Sequence, residues 1–229
     1  MNGILFDMDG TLLDIDLGSF LRRYFAGLGR IAAVSFPGID VLPAILASTT
    51  TMQETHPGRT NREVFYADFR ARTGLDLEEH WPVFERFYQE VFPTLHDSEG
   101  PHAGARLVVE TALGLGMRVA IATNPIFPQV AQRTRLGWAG LDDLDLPVVT
   151  SYEHMHACKP DPAYFLETAA LIGADPRACI MVGDDRSLDL AAGDVGMHTF
   201  YVGGEAGAHA DWSGSLTDLA ALLPRVVED

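Results

Sequence analysis

Ile4-Leu5-Phe6-Asp7-Met8-Asp9-Gly10-Thr11-Leu12 is the stretch around which the rest of the chain is organised. Ile4 to Phe6 is short, apolar and closed by a glycine-containing turn, which predicts a buried β-strand. Its carboxyl end delivers two acids, Asp7 and Asp9, at positions i and i+2. On an extended backbone both side chains would point to one side. Carboxylates that close repel each other unless a cation or a shared proton relieves them. Taken alone, the stretch is equally open to a second reading, an acidic turn that caps a helix. The rest of the chain decides between the two.

Past Pro101, β-type runs alternate with helical ones. Met117 to Ala122, Pro147 to Thr150, Ala178 to Val182 and His198 to Val202 read as strands. Helical patterns fall over about 103–115, up to 136, 162–172, 188–195 and 215–226. This alternation predicts an α/β fold, a doubly wound, Rossmann-like parallel sheet covered on both faces. Residues 16–94 have another rhythm. Leu17, Phe20, Leu21, Tyr24, Phe25, Leu28 and Ile31 recur at spacings of three and four, and Pro37-Gly38 ends that helix. Three further helical stretches follow, over about 39–52, then up to Gly74, then 78–94. The predicted organisation is a core of residues 1–15 and 95–229, split by an all-helical insertion of residues 16–94.

Ligands of such sheets bind beyond the carboxyl ends of the strands. Asp7 and Asp9 follow the first strand, and Thr123 and Asn124 the second. Lys159 comes shortly after the third, and Asp184, Asp185 and Asp189 follow the fourth. Singly, each has a plainer explanation: Thr123 as a helix cap, Lys159-Pro160 as a solvated loop, Gly183 to Asp189 as an acidic helix start. Together they are the groups that phosphoryl transfer uses. Clustered carboxylates suit a hard cation such as magnesium, and a hydroxyl and an ammonium suit phosphate oxygens. One carboxylate can attack phosphorus while a second moves the proton.

With these residues in order, the chain resembles the haloacid dehalogenase superfamily. The resemblance rests on Asp7-Met8-Asp9-Gly10-Thr11, Thr123 after Val119 to Ala122, Lys159-Pro160, and Gly183-Asp184 with Asp189 five positions beyond, and it spans residues 4 to about 202. It implies Asp7 as the nucleophile of an aspartyl-phosphate, Asp9 as general acid and then base, and Thr123 and Lys159 on the transferring phosphoryl group. Gly10, Thr11 and Asn124 join these two as implied phosphate-binding residues. The implied metal set is Asp7, Asp9 through its carbonyl, and Asp184, with Asp185 and Asp189 acting through water or one step removed. Residues 16–94 become a helical cap that closes over the site. The second acid also sorts the chemistry, because carbon–halogen cleavage needs no proton donor for an alkoxide. A phosphatase is therefore expected rather than a dehalogenase.

Composition narrows the rest. The 229 residues carry a formal charge of −16, which disfavours nucleic acid and anionic membranes as partners and requires a local device to attract an anionic substrate. No run approaches the roughly 20 apolar residues of a membrane span. Two cysteines, Cys158 and Cys179, make no disulfide framework, and a cytoplasmic setting is expected. Fifteen of the sixteen basic residues are arginine, so the lone lysine, Lys159, marks a position that suits a compact ammonium. His154 and His156 form a His-x-His without companion ligands, which favours surface roles.

The expected function is a magnesium-dependent phosphomonoester hydrolase of a small metabolite. The alternatives are a sugar phosphomutase, which shares every core residue, and a non-catalytic phosphoryl-binding module, which has no need of Asp9. A phosphosugar, phosphoglycolate or a nucleotide would leave the same motifs. Specificity is expected from the helical segment, with His56, Arg59, Asn61 and Arg62 of its polar loop as the candidates. Monomer and homodimer both stay open.

Overall fold

The computed structural model describes residues 1–97, 100–204 and 209–228. Strand β1 (Gly3–Phe6) is buried along its whole length, as its apolar sequence requires. After the turn that follows it comes β2 (Leu13–Asp14), and then four α-helices, α1 (Leu17–Ser35), α2 (Val41–Met52), α3 (Asn61–Thr73) and α4 (Leu77–Arg86). Capping fixes where they begin. Asp16 accepts from the Ser19 backbone at the head of α1, and Thr60 and Glu63 form a reciprocal capping box on α3. The helix expected over 78–94 is instead α4, a π-helical turn (Phe87–Val91) and a 3-10 turn (Phe92–Leu95). Pro93 lacks the N–H that would continue an α-helix. Strand β3 (Gly100–Pro101) then pairs antiparallel with β2 in a small two-stranded sheet, so the chain enters and leaves the helical segment at one place.

The remaining elements are α5 (Ala105–Gly114), β4 (Arg118–Ile121), α6 (Gln129–Trp138), β5 (Val148–Val149), α7 (Pro162–Leu171), β6 (Cys179–Gly183), β7 (His198–Val202), β8 (Trp212–Gly214) and α8 (Leu216–Glu228). Six parallel strands form one sheet in the order β5-β4-β1-β6-β7-β8. The α/β, Rossmann-like expectation therefore holds, with one more strand than the sequence pattern offers. β8 has three residues, too few to display a period. The helix expected over 188–195 is a 3-10 helix (Leu190–Val195).

Alternation sends Ile4, Phe6, Val119, Ile121, Ile180 and Val182 to one face, where α5, α6 and α8 cover them. Leu5, Ala120, Met181 and Cys179 meet α7 and the 3-10 helix on the other. The helical segment has its own aromatic cluster, including Phe20, Tyr24, Phe69, Phe84, Phe87 and Phe92, joined by Phe127 from just before α6 and Ala131 on it. No helix among the described residues is long and apolar enough to cross a membrane.

Register positions the site. Phe6 stands opposite Ile121 on one side and Val182 on the other. The residues that come next, Asp7, Ala122-Thr123 and Gly183-Asp184, therefore leave the sheet at one level.

Candidate active site

Asp7 is still tied into the sheet, its N–H donating to the Val182 carbonyl at 2.8 Å. Its carboxylate is aimed by Lys159, whose Nζ donates to Asp7 Oδ1 at 2.7 Å and to Asp189 Oδ1 at 2.6 Å. The other Asp189 oxygen accepts from the Asp185 backbone N–H at 3.0 Å. Thr11 Oγ1 donates to Asp184 Oδ1 at 2.9 Å. One oxygen each of Asp7, Asp184 and Asp189 lies within 4.8 Å of the others, so these three groups could hold a metal ion. Two glycines make the approach possible. A Cβ on Gly10, at φ +75°, would run into the Asp184 carboxylate, and one on Gly183 would run into that of Asp189.

The electrostatics of this cluster leave negative charge over. Burial raises Asp7 above the ordinary carboxylate range, with Lys159 opposing and Asp184 adding to the rise. Burial likewise raises Asp184, and lifts Asp189 to about 6 against the pull of Lys159. Burial alone would pull the Lys159 ammonium down, but Asp189 and Asp7 outweigh it and hold it above the usual lysine value. One ammonium thus serves two buried carboxylates, Asp7 and Asp189, with the half-buried Asp184 beside them. All the converging donors are oxygens, the set that suits a hard divalent cation.

A cavity of about 260 Å³ opens over the cluster. Asp7, Asp9, Gly10, Thr123, Asn124, Lys159, Asp184, Asp185 and Asp189 all line it. Thr123 is 2% exposed, and its carbonyl is fixed by Thr150 Oγ1 at 2.6 Å and the Tyr164 hydroxyl at 2.9 Å. Asn124 Oδ1 accepts from the Lys159 backbone N–H at 3.3 Å, tying the second strand end to the third. The apolar part of the lining comes from Ile15, from Leu17 and Leu21 at the start of the helical segment, and from Ile126 and Phe127.

Other sequence-derived candidates have different tasks. Thr11 is fully buried and lies beneath the cavity, its hydroxyl spent on Asp184. Asp185 reaches the cavity rim, but its Oδ1 accepts from the Ser187 N–H and hydroxyl and from the Leu188 N–H, which closes the turn before Asp189. Burial pushes the Asp185 carboxyl up, yet those hydrogen bonds outweigh it and hold the group low.

The loop expected to read the substrate lies elsewhere, for neither His56, Arg59, Asn61 nor Arg62 lines the cavity. His56 Nε2 is paired with the Thr51 carbonyl at 2.6 Å, and Arg59 Nη2 donates to the Glu63 carbonyl at 2.8 Å. Arg62 stands 4.8 Å over the Tyr66 ring and 3.5 Å from Glu78. Asn61, 2% exposed, donates to the Ala157 carbonyl at 3.2 Å and to Cys158 Sγ at 3.3 Å. These polar groups are satisfied within the helical segment or by the strap that precedes Lys159. Burial pushes the Cys158 thiol up to about 12, which makes it an inert thiol. His156 pairs with Glu167 at 2.6 Å and His154 with Gln129 at 3.4 Å, separate surface contacts.

One residue of the site lies outside the motifs that the sequence offers. Arg135, on α6, is 1% exposed, lines the cavity and is in contact with the Asp9 carboxylate. Burial lowers its guanidinium to about 10, with Asp7 opposing. Gln132 and Arg135 stand three apart on a helix face shared with buried Ala131 and Leu136. That pair of polar residues on an otherwise apolar face is the pattern that could have singled it out.

Residues 1–194 match the family model of the haloacid dehalogenase-like hydrolases. The chain belongs to this family. Among curated relatives of the hydrolase, a pyrophosphatase (PpaX) of Halalkalibacterium halodurans is 26% identical over 89% of this chain and 84% of its own length. A phosphoglycolate phosphatase of Caulobacter vibrioides is 26% identical over 86% and 78%. The crystal structure of a HAD phosphatase from Thermococcus onnurineus superposes with a TM-score of 0.61 at 25% identity, covering 97% of this chain and 98% of that one.

Proposed function

We propose that this hydrolase is a magnesium-dependent phosphatase of small phosphomonoesters, working through an aspartyl-phosphate on Asp7. The observation that carries the reading is the separation of the two acids. Asp7 is held by Lys159 over the carboxylate cluster, while the Asp9 side chain turns to Arg135 on the wall of the same cavity. Two carboxylates two positions apart thus serve two different jobs.

The Asp7 carboxylate, the Asp9 carbonyl and Asp184 would hold magnesium, which would supply Lewis-acid charge to the phosphoryl oxygens. Asp189 acts by placing Lys159, and Asp185 by closing the turn that carries Asp189. An Asp7 carboxylate oxygen forms a bond to phosphorus as the bond to the ester oxygen breaks. The electron pair of the broken bond goes to that oxygen, which takes the proton of Asp9 and leaves as an alcohol. Asp9, now a carboxylate, removes a proton from water, and the hydroxide displaces the Asp7 carboxylate from phosphorus. Thr123 and Lys159 hold the phosphoryl oxygens throughout, with the Asn124 side chain securing the Lys159 backbone.

Residues 16–94 serve as the cap over a core of residues 1–15 and 95–229, with Leu17 and Leu21 of α1 contributing the apolar roof. A cavity of about 260 Å³ suits a leaving group of metabolite size. Two free, buried cysteines fit the reducing cytoplasm.

A panel of metabolite phosphates is incubated with magnesium, and inorganic phosphate is measured against Asp7→Asn and against excess chelator. Release by the native enzyme alone, and only with metal, is expected. Full activity in chelator would sink the metal assignment, and turnover by Asp7→Asn would sink the nucleophile. Slow release that rises only when a sugar bisphosphate primes the enzyme would make it a mutase.

A further inference from the structure

Arg135 is among the largest fully buried side chains of the described residues. A guanidinium is rarely enclosed without a partner. Its Nη1 donates to Gln132 Oε1 at 2.9 Å, and the Gln132 amide reaches the Asn124 carbonyl at 3.5 Å. Its faces are covered by Phe20 of α1, 5.7 Å from ring centroid to Cζ, and by Phe127 at 5.2 Å. Nη2 is in contact with Asp9 Oδ1, yet neither atom completes a well-aligned hydrogen bond, and Nε has no partner among the described residues. The guanidinium is therefore seated by α6 and two aromatic rings, with its open edge presented to Asp9.

We propose that Arg135, backed by Gln132, is the positioning residue of the proton-transferring acid Asp9. This rests on the acid/base reading of Asp9 given above. Contact at Oδ1 leaves Oδ2 to carry the proton. In the acid form Oδ1 is the carbonyl oxygen and stays against Nη2, while Oδ2–H faces the ester oxygen. When the ester bond breaks, its electron pair stays on that oxygen, the proton passes from Oδ2, and Asp9 remains as a carboxylate beside the guanidinium. The same contact then holds Oδ2 ready to take a proton from water. Phe20 comes from the helical segment, so the seat of Arg135 is complete only when α1 packs on α6.

A residue that acts through the general acid matters in proportion to how badly the leaving group needs a proton. The test compares kcat/KM for 4-nitrophenyl, phenyl and benzyl phosphates in the native enzyme, Asp9→Asn, Arg135→Met, Arg135→Lys, Gln132→Met and the Asp9→Asn/Arg135→Met double variant. Arg135→Met is expected to lose about 100-fold on benzyl phosphate and less than about threefold on 4-nitrophenyl phosphate. Arg135→Lys should recover part of that loss, and Gln132→Met should show the same gradient more weakly. The double variant should lose no more than Asp9→Asn alone.

A fall of equal size across the three esters, or losses that add in the double variant, would overturn the proposal. If Arg135→Met does not fold, the gradients of Arg135→Lys and Gln132→Met decide in the same way. An Asp9→Asn variant without a gradient would instead overturn the acid reading on which the proposal stands.

Discussion

Two polar regions of this hydrolase look alike in sequence and differ in the structure. One is the set of strand ends that carry Asp7, Thr123, Lys159 and Asp184. The other is the loop His56 to Arg62, with its histidine, asparagine and arginines. At the strand ends, parallel register brings charged groups from distant segments to one level, where burial raises the acids against the pull of Lys159 on Asp7 and Asp189 and of the Thr11 hydroxyl on Asp184. In the loop, every candidate finds a partner close by, most often a backbone carbonyl. Unspent charge, rather than the presence of polar residues, separates a reactive site from a well-made turn.

The sharpest way to break this contrast is Lys159→Met, which leaves Asp7 and Asp189 buried without their ammonium. Removing one member of a buried ion pair costs about 3–5 kcal/mol, so the denaturation midpoint should fall and phosphatase activity should vanish. Native stability in that variant would mean that the carboxylates are not charged in the way described.

Gly10→Ala comes next. The added Cβ meets the Asp184 carboxylate at a left-handed φ, so strain of about 1–3 kcal/mol is expected together with weakened magnesium dependence. Isothermal titration with magnesium would read the second effect.

Within the loop, Asn61→Ala should lower stability by about 1–3 kcal/mol, because the carbonyl and thiol it satisfies are buried. Arg59→Ala and His56→Ala should each stay within about 0.5 kcal/mol of the native protein and leave turnover of any metabolite phosphate within about twofold. A large change in KM for Arg59→Ala would restore the loop as a specificity element.

The smallest effect is a pH dependence away from the site. The Arg72 guanidinium, with Ser48 also donating at 2.7 Å, holds the Asp68 carboxyl below its ordinary value where α2 meets α3. A carboxyl lowered on folding stabilises fully above its unfolded pKa and loses that contribution as pH falls through the folded one. The stability gap between native protein and Asp68→Asn, below about 1 kcal/mol for so exposed a pair, should therefore close as the medium is acidified below the usual carboxylate range. A gap that widens on acidification would reverse the assigned direction.

Much of this was legible along the chain. Alternating apolar runs and helical periods specify a parallel sheet because a strand buried on both faces must be continuously apolar. An acid, hydroxyl or ammonium placed just after such a run must emerge at the ligand-binding edge. The sequence by itself thus determined the fold class, the helical character of the stretch between β2 and β3, and the convergence of Asp7, Thr123, Lys159 and Asp184 on one cavity.

Three matters were decided only by the tertiary structure. β8 is too short to carry a period, and its pairing depends on β7 being there to receive it. The loop at 56–62 points away from the cavity because Asn61 N–H and Arg62 N–H dock on the Met155 and Tyr152 carbonyls, contacts that join residues far apart in the chain. Arg135 reaches Asp9 across 126 positions, between rings from α1 and the segment before α6. Periodicity describes what a residue does relative to its own element. Which distant group a buried side chain meets depends on how the elements pack, and no local pattern records that.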